Sequence, residues 1–129
     1  MAQKIETLFL VDDDRDEHEL FEDALRDVDG AIELITAKNG AEAFEKLRAT
    51  DVNTPDIIFL DLNMPKMDGK QFLREIKAKK EFEDIPVYVY TTSSNVQEKL
   101  EVLALGAANF ITKPGSYTEL CDTLRSVVS

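Results

Sequence analysis

The 129-residue chain has a single cysteine, Cys121, so no disulfide can close within it. No apolar run comes near the ~18 residues that a membrane-spanning helix needs. The first residues, MAQKIETLFLVDDD, lack the basic-then-apolar pattern and small-residue cleavage site of a secretory signal. Positive charge is scarce: 15 Lys and Arg stand against 26 Asp and Glu, a net charge of -11. That mean field repels phosphate and argues against nucleic acid or an anionic membrane surface as partner. Cations and basic protein faces remain open to it. There are no repeats, no low-complexity tracts and no linker to a second unit. The expectation is one domain over residues 1–129, in a soluble, reducing compartment, the cytoplasm. Cys121 falls among Leu120, Leu124 and Val128 on one side of a helical pattern, which predicts a packed small hydrophobe.

What the chain does have is alternation. Apolar runs at residues 5–11, 32–37, 56–61, 87–90 and 108–111 read as strands. Between them, apolar residues recur at helical spacing. Leu20, Phe21, Ala24, Leu25 and Val28 mark the first helix, with Asp14 as its N-cap, Glu17 as capping-box partner and Gly30 closing it. Asn39-Gly40 stops the second strand. Ala43, Phe44 and Leu47 mark a second helix, which fails near Asp51–Pro55. Phe72, Leu73 and Ile76 give the third helix its apolar side. Asn95 and Glu98 cap a fourth helix, lined by Leu100, Leu103 and Ala104 and ended by Gly106. Lys113-Pro114-Gly115 turns the chain into a fifth. Five β-α units with short connections predict an α/β fold, a doubly wound parallel sheet of five strands in the order 2-1-3-4-5.

In such sheets ligands bind beyond the carboxyl ends of the strands. Asp12, Asp13, Asp61, Thr91 and Lys113 all fall at such ends. With strands one and three adjacent, Asp12, Asp13 and Asp61 converge. Carboxylates this close raise one another's pKa, and a hard divalent cation relieves the repulsion. Mg2+ suits the set, because it takes oxygen ligands and often needs only one or two protein carboxylates. A carboxylate beside such a metal can act as a nucleophile and form an aspartyl phosphate. The Lys113 ammonium and the Thr91 hydroxyl suit phosphoryl oxygens. Single residues have plainer readings: Asp14 caps a helix, Asp68-Gly69 is a turn, and His18 is a first-turn residue exposed among acids. His18 has no cysteine or second histidine with which to hold zinc.

Taken together these stretches resemble the receiver domain of two-component response regulators. The matching segments are LFLVDDD, IIFLDLNMPKMDG, PVYVYTTS and GAANFITKP, and they span nearly the whole chain. TTS together with ANFITKP is similar to stand-alone receivers that partner phytochromes. The resemblance implies the flavodoxin-like (βα)5 fold, with Asp61 as phosphoacceptor. It implies Mg2+ held by Asp13, Asp61 and the backbone carbonyl of Asn63, with Asp12 acting through water. Thr91 would bond a phosphoryl oxygen, and Lys113 would pair with the phosphate or with Asp61. Phe110 matches the aromatic switch residue, and Pro114 the proline whose preceding bond the family commonly holds cis. Three positions depart from the family pattern. Thr92 stands where alanine or glycine is common and is expected to narrow the path to Asp61. Gly115 follows Lys-Pro where a bulky apolar residue is usual. Ser93 is small and neutral, so it should orient attacking water differently from a long charged side chain.

The implied function is a phosphorylation switch. A sensor histidine kinase or a phosphotransfer protein would supply phosphoryl to Asp61, and the product would hydrolyse slowly. The output would be altered binding at the surface of helix four, strand five and helix five, to a downstream protein or a second copy. Turnover of an external substrate is not expected. Two other classes compete. One is a receiver fold that binds partners without being phosphorylated. The other is a Mg-dependent phosphohydrolase, against which Asp61-Leu62-Asn63 argues, since the haloacid-dehalogenase type has a second aspartate two residues on.

Overall fold

The protein's structure, a computed structural model, describes residues 4–49, 54–62 and 68–128. The chain runs β1 (Thr7–Val11), α1 (Arg15–Val28), β2 (Glu33–Ala37), α2 (Gly40–Arg48), β3 (Ile57–Leu60), α3 (Gly69–Lys77), β4 (Val87–Thr91), α4 (Val96–Ala104), β5 (Asn109–Thr112) and α5 (Tyr117–Val128). All strand pairings are parallel, and the sheet order is β2-β1-β3-β4-β5, as the β-α alternation predicted.

An unbroken apolar run has no face to offer to water. Accordingly every residue of β1 and β3 is buried, whereas β2 and β5, at the edges, are largely half-buried or exposed. Successive side chains of a strand point to opposite faces. Leu8, Leu10, Ile57, Phe59 and Tyr90 therefore pack on α1 and α5 through Phe21, Leu25, Leu120 and Leu124. Phe9, Val11, Ile58, Leu60, Val87 and Val89 pack on the other face, against Phe44 of α2, Phe72, Leu73 and Ile76 of α3, and Val102 of α4. Each fully buried large side chain contributes about 1.5–3 kcal/mol relative to exposure. Cys121 is one of the buried residues of the α1–α5 layer, as expected of a small hydrophobe.

Several ends differ from the sequence expectation, each for a local reason. β1 begins at Thr7 rather than Ile5. Asp56 is not part of β3; its Oδ2 accepts the Glu6 and Thr7 N–H groups at 2.8 and 3.0 Å and ties off the start of β1. β4 extends to Thr91 and β5 to Thr112, because these two residues pair across the last rung. Asp29, not Gly30, closes α1, its N–H donating to Leu25 O at 2.8 Å. Asn39 does more than stop β2: its Oδ1 accepts the Glu42 N–H at 2.8 Å and caps α2. Asn95 caps α4 onto Glu98 as expected.

No helix among the described residues is long and apolar enough to cross a membrane. α4 is the helix least embedded in the core. Val102 is its one buried residue, while Val96, Leu100 and Leu103 are exposed.

Candidate functional site

The carboxyl ends of β1 and β3 carry the acids directly off the last sheet hydrogen bonds. Asp12 N–H donates to Ala37 O at 2.9 Å, and Asp61 N–H donates to Val11 O at 2.9 Å. These bonds fix the two backbones side by side. Carboxylate oxygens of Asp12, Asp13 and Asp61 consequently lie within 4.8 Å of one another. Asp12 is fully buried and Asp61 is 6% exposed, while Asp13 is open to solvent.

Asp12 is held on all sides. Its Oδ2 accepts the Lys113 ammonium at 2.9 Å and its Oδ1 accepts the Asp14 N–H at 3.0 Å. That second bond takes the donor that Glu17 was expected to cap. The capping box is thus replaced: Asp14 Oδ1 caps α1 through Asp16 N–H at 2.9 Å. His18 also belongs here, contrary to its reading as a merely exposed helix residue. It is half-buried, and its Nε2 lies 2.6 Å from Asp12 O, as the donor of that bond. One turn of α1 brings residue 18 back over the loop, a closure that acidic neighbours in sequence do not reveal.

Lys113 is anchored twice. Its N–H donates to Thr91 O at 2.7 Å, and its ammonium, 12% exposed, meets Asp12. Burial opposes the ammonium charge, but the Asp12 hydrogen bond and charge outweigh it, helped by Asp61 and Glu17, so the Lys113 pKa lies above the usual lysine value. The ammonium is ion-paired with Asp12, and the Asp61 charge also acts on it. Thr91 is fully buried at the end of β4, and its Oγ1 accepts the Ser93 N–H at 3.3 Å. Thr112 Oγ1 donates to Ser93 O at 3.1 Å, which pins the loop to β5. Thr92 itself is exposed. Phe110 is half-buried on the α2–α4 side of the sheet, next to Val89 in register.

Asn63 lies outside the described residues. The Lys113–Pro114 bond is trans, as are all peptide bonds among the described residues, which corrects the cis expectation. Trans is favoured before proline by about 0.5–1 kcal/mol, and the trans bond still delivers the Lys113 ammonium to Asp12.

One residue of the site was read only as part of a turn. Asp68 caps α3 through Gln71 N–H at 2.8 Å, and Gly69 is the first helical residue. A Cβ on Gly69 would stand 2.6 Å from both Asp61 O and Leu62 Cα. Gly69 also donates its N–H to Leu62 O at 3.0 Å. The helix start is therefore packed directly on the backbone that presents Asp61. Glycine inside a helix costs about 1 kcal/mol relative to alanine, so its place at the first position was the available signal.

Three carboxylates at one point, two of them buried, form a hard oxygen donor set that fits a divalent cation. The comparisons with known proteins agree with this chemistry. Residues 8–125 match the response regulator receiver domain model. The transcriptional regulatory protein PrrA of Mycobacterium bovis is 36% identical over 121 residues, 94% of this chain and 49% of PrrA, so the chain spans about half of that relative. The phosphorylated cyanobacterial phytochrome response regulator RcpA superposes with a TM-score of 0.85 at 32% identity, over 95% of this chain and 91% of its own. The Mn2+-bound response regulator Rcp1 gives 0.82 at 29% identity over the same shares, 95% and 91%. With a parallel sheet in the order 2-1-3-4-5, an acidic cluster at its carboxyl edge and a lysine closing over it, the chain belongs to the response regulator receiver domain family.

Proposed function

We propose that this receiver takes a phosphoryl group onto Asp61, with Mg2+ as its metal, from a sensor histidine kinase or a phosphotransfer protein. The observation that carries the reading is the meeting of Asp12, Asp13 and Asp61 within 4.8 Å, beneath an ammonium already inside the site. Asp13, Asp61 and the Asn63 carbonyl would hold the metal, with Asp12 reaching it through water. The bound cation would neutralise phosphoryl oxygens during in-line transfer.

The chain's own residues do the rest. An Asp61 carboxylate oxygen attacks phosphorus and forms the O–P bond. The P–N bond to the donor imidazole breaks, and its electron pair stays on the ring nitrogen. Lys113 swings from Asp12 toward the new phosphoryl oxygens, a short path because its backbone is fixed at Thr91 O. The Thr91 hydroxyl turns to donate to one of the same oxygens. Pulling Thr91 draws on the Ser93 loop that leads into α4, and Phe110 takes an inward rotamer. The signal then leaves through α4, β5 and α5, to a downstream protein or a second copy. The exposed Val96, Leu100 and Leu103 suit that use of α4.

The test is chemical mapping. After treatment with acetyl phosphate and Mg2+, borohydride reduction converts an aspartyl phosphate to homoserine. The expected result is homoserine at position 61 alone. Homoserine at another aspartate, with 61 intact, overturns the assignment.

A further inference from the structure

Lys113 is held by more than its carboxylate. Its ammonium lies over the ring of Tyr90, 5.6 Å from the centroid. Tyr90 is 2% exposed. Its ring is fixed edge-on against Phe21 and Phe59, with centroids 5.8 Å away in each case and interplanar angles of 79° and 78°. The ring thus presents a rigid face, and an aromatic face attracts a cation through its quadrupole. Tyr90 immediately precedes Thr91 on β4, whose carbonyl accepts the Lys113 N–H. One strand end therefore grips Lys113 twice, by its backbone and by its ammonium. An aliphatic residue at position 90 would fill the layer with α1 and α5 but would offer the cation nothing.

We propose that Tyr90 is a positioning residue for Lys113, its ring holding the ammonium over the acidic cluster from which it must reach the phosphoryl oxygens. The inference rests on the phosphoacceptor reading for its consequence, though not for its geometry. Tyr90 touches neither donor nor phosphoryl group; it acts through Lys113. Its hydroxyl is not required, so phenylalanine should serve.

The first test needs no phosphorylation. In NMR spectra of the full metal-free chain, the Lys113 Hε protons, assigned by their loss in Lys113→Met, should be shifted upfield by the ring current. They should stay so in Tyr90→Phe and return to the ordinary lysine position in Tyr90→Leu. The second test is the rate of Asp61 labelling by acetyl phosphate with Mg2+. Tyr90→Leu should slow it about threefold, as loss of a partly exposed cation–π contact implies, and Tyr90→Phe should leave it near wild type. In a Lys113→Met background, Tyr90→Leu should change nothing further. Unshifted Hε protons in the wild type overturn the proposal. So does equal slowing by Tyr90→Leu with and without Lys113. Absence of labelling in the wild type would instead overturn the phosphoacceptor reading, and the ring-current comparison would still decide the role of Tyr90.

Discussion

Lys113 reaches back 101 residues along the chain to Asp12, and that contact sets the electrostatics of the site. A fully buried carboxylate needs a partner, and one further carboxylate and an exposed one stand beside it. The ammonium offsets part of that charge. Because its pKa is raised on folding, its stabilisation is complete below the ordinary lysine value of 10.5 and is lost as pH rises through the higher folded value. Thermal unfolding of wild type against Lys113→Met should therefore differ by a constant amount from neutral pH to about 10.5, then converge as pH rises through the folded value. The constant difference should be roughly 1–3 kcal/mol, below the range for a fully dry pair because Lys113 keeps some exposure. A difference that grows with alkaline pH would contradict the assignment. The residues of this pair were legible in the sequence, each at a strand end. Their pairing was not, because it depends on how the chain crosses over between β1 and β5. The same holds for His18, whose bond to Asp12 O needs the turn of α1 to close it.

At the scale of elements, α3 is the buttress of Asp61. Its first residue lies against the Asp61 carbonyl so closely that any side chain must displace one of them. Gly69→Ala should lower stability by about 1–3 kcal/mol through overpacking, and should slow phosphorylation of Asp61 more than an equally destabilising core substitution such as Ile76→Val. Equal rates at equal stability would remove Gly69 from the site. Strand and helix order could be read from period alone, since β1 and β3 are unbroken apolar runs and α1 repeats Phe21, Ala24 and Leu25 at helical spacing. Ends were less legible. Asp29 bonds Leu25 O and Asp56 bonds the Glu6 and Thr7 N–H groups, each shifting a boundary by one residue, and Asn39 caps α2 as well as stopping β2. Such side-chain and backbone bonds compete locally with the pattern. The trans bond before Pro114 is a similar case: a family habit gave the cis expectation, and nothing in Lys-Pro-Gly itself demands it.

For the whole molecule, a net charge of -11 and three converging carboxylates mean that the metal-free fold carries stored repulsion. A cation that binds only the folded chain stabilises it by mass action, about 2.7 kcal/mol at 100 times its Kd. Mg2+ and Mn2+ should both raise the thermal midpoint, and Asp13→Asn should lose most of that rise without destabilising the metal-free protein. An unchanged rise in Asp13→Asn would place the cation elsewhere. The sheet order brings these acids together because sequence-distant β1 and β3 are neighbours, which is why a run of aspartates at the end of one strand gained meaning only beside Asp61 of another.

The central claim is tested most directly by intact mass after incubation with acetyl phosphate, with and without Mg2+, for wild type and Asp61→Asn. The account predicts a gain of one phosphoryl group that requires both the metal and Asp61. No gain in the wild type, either from this donor or from a phosphohistidine donor able to pass Thr92, or an equal gain in Asp61→Asn, would contradict it.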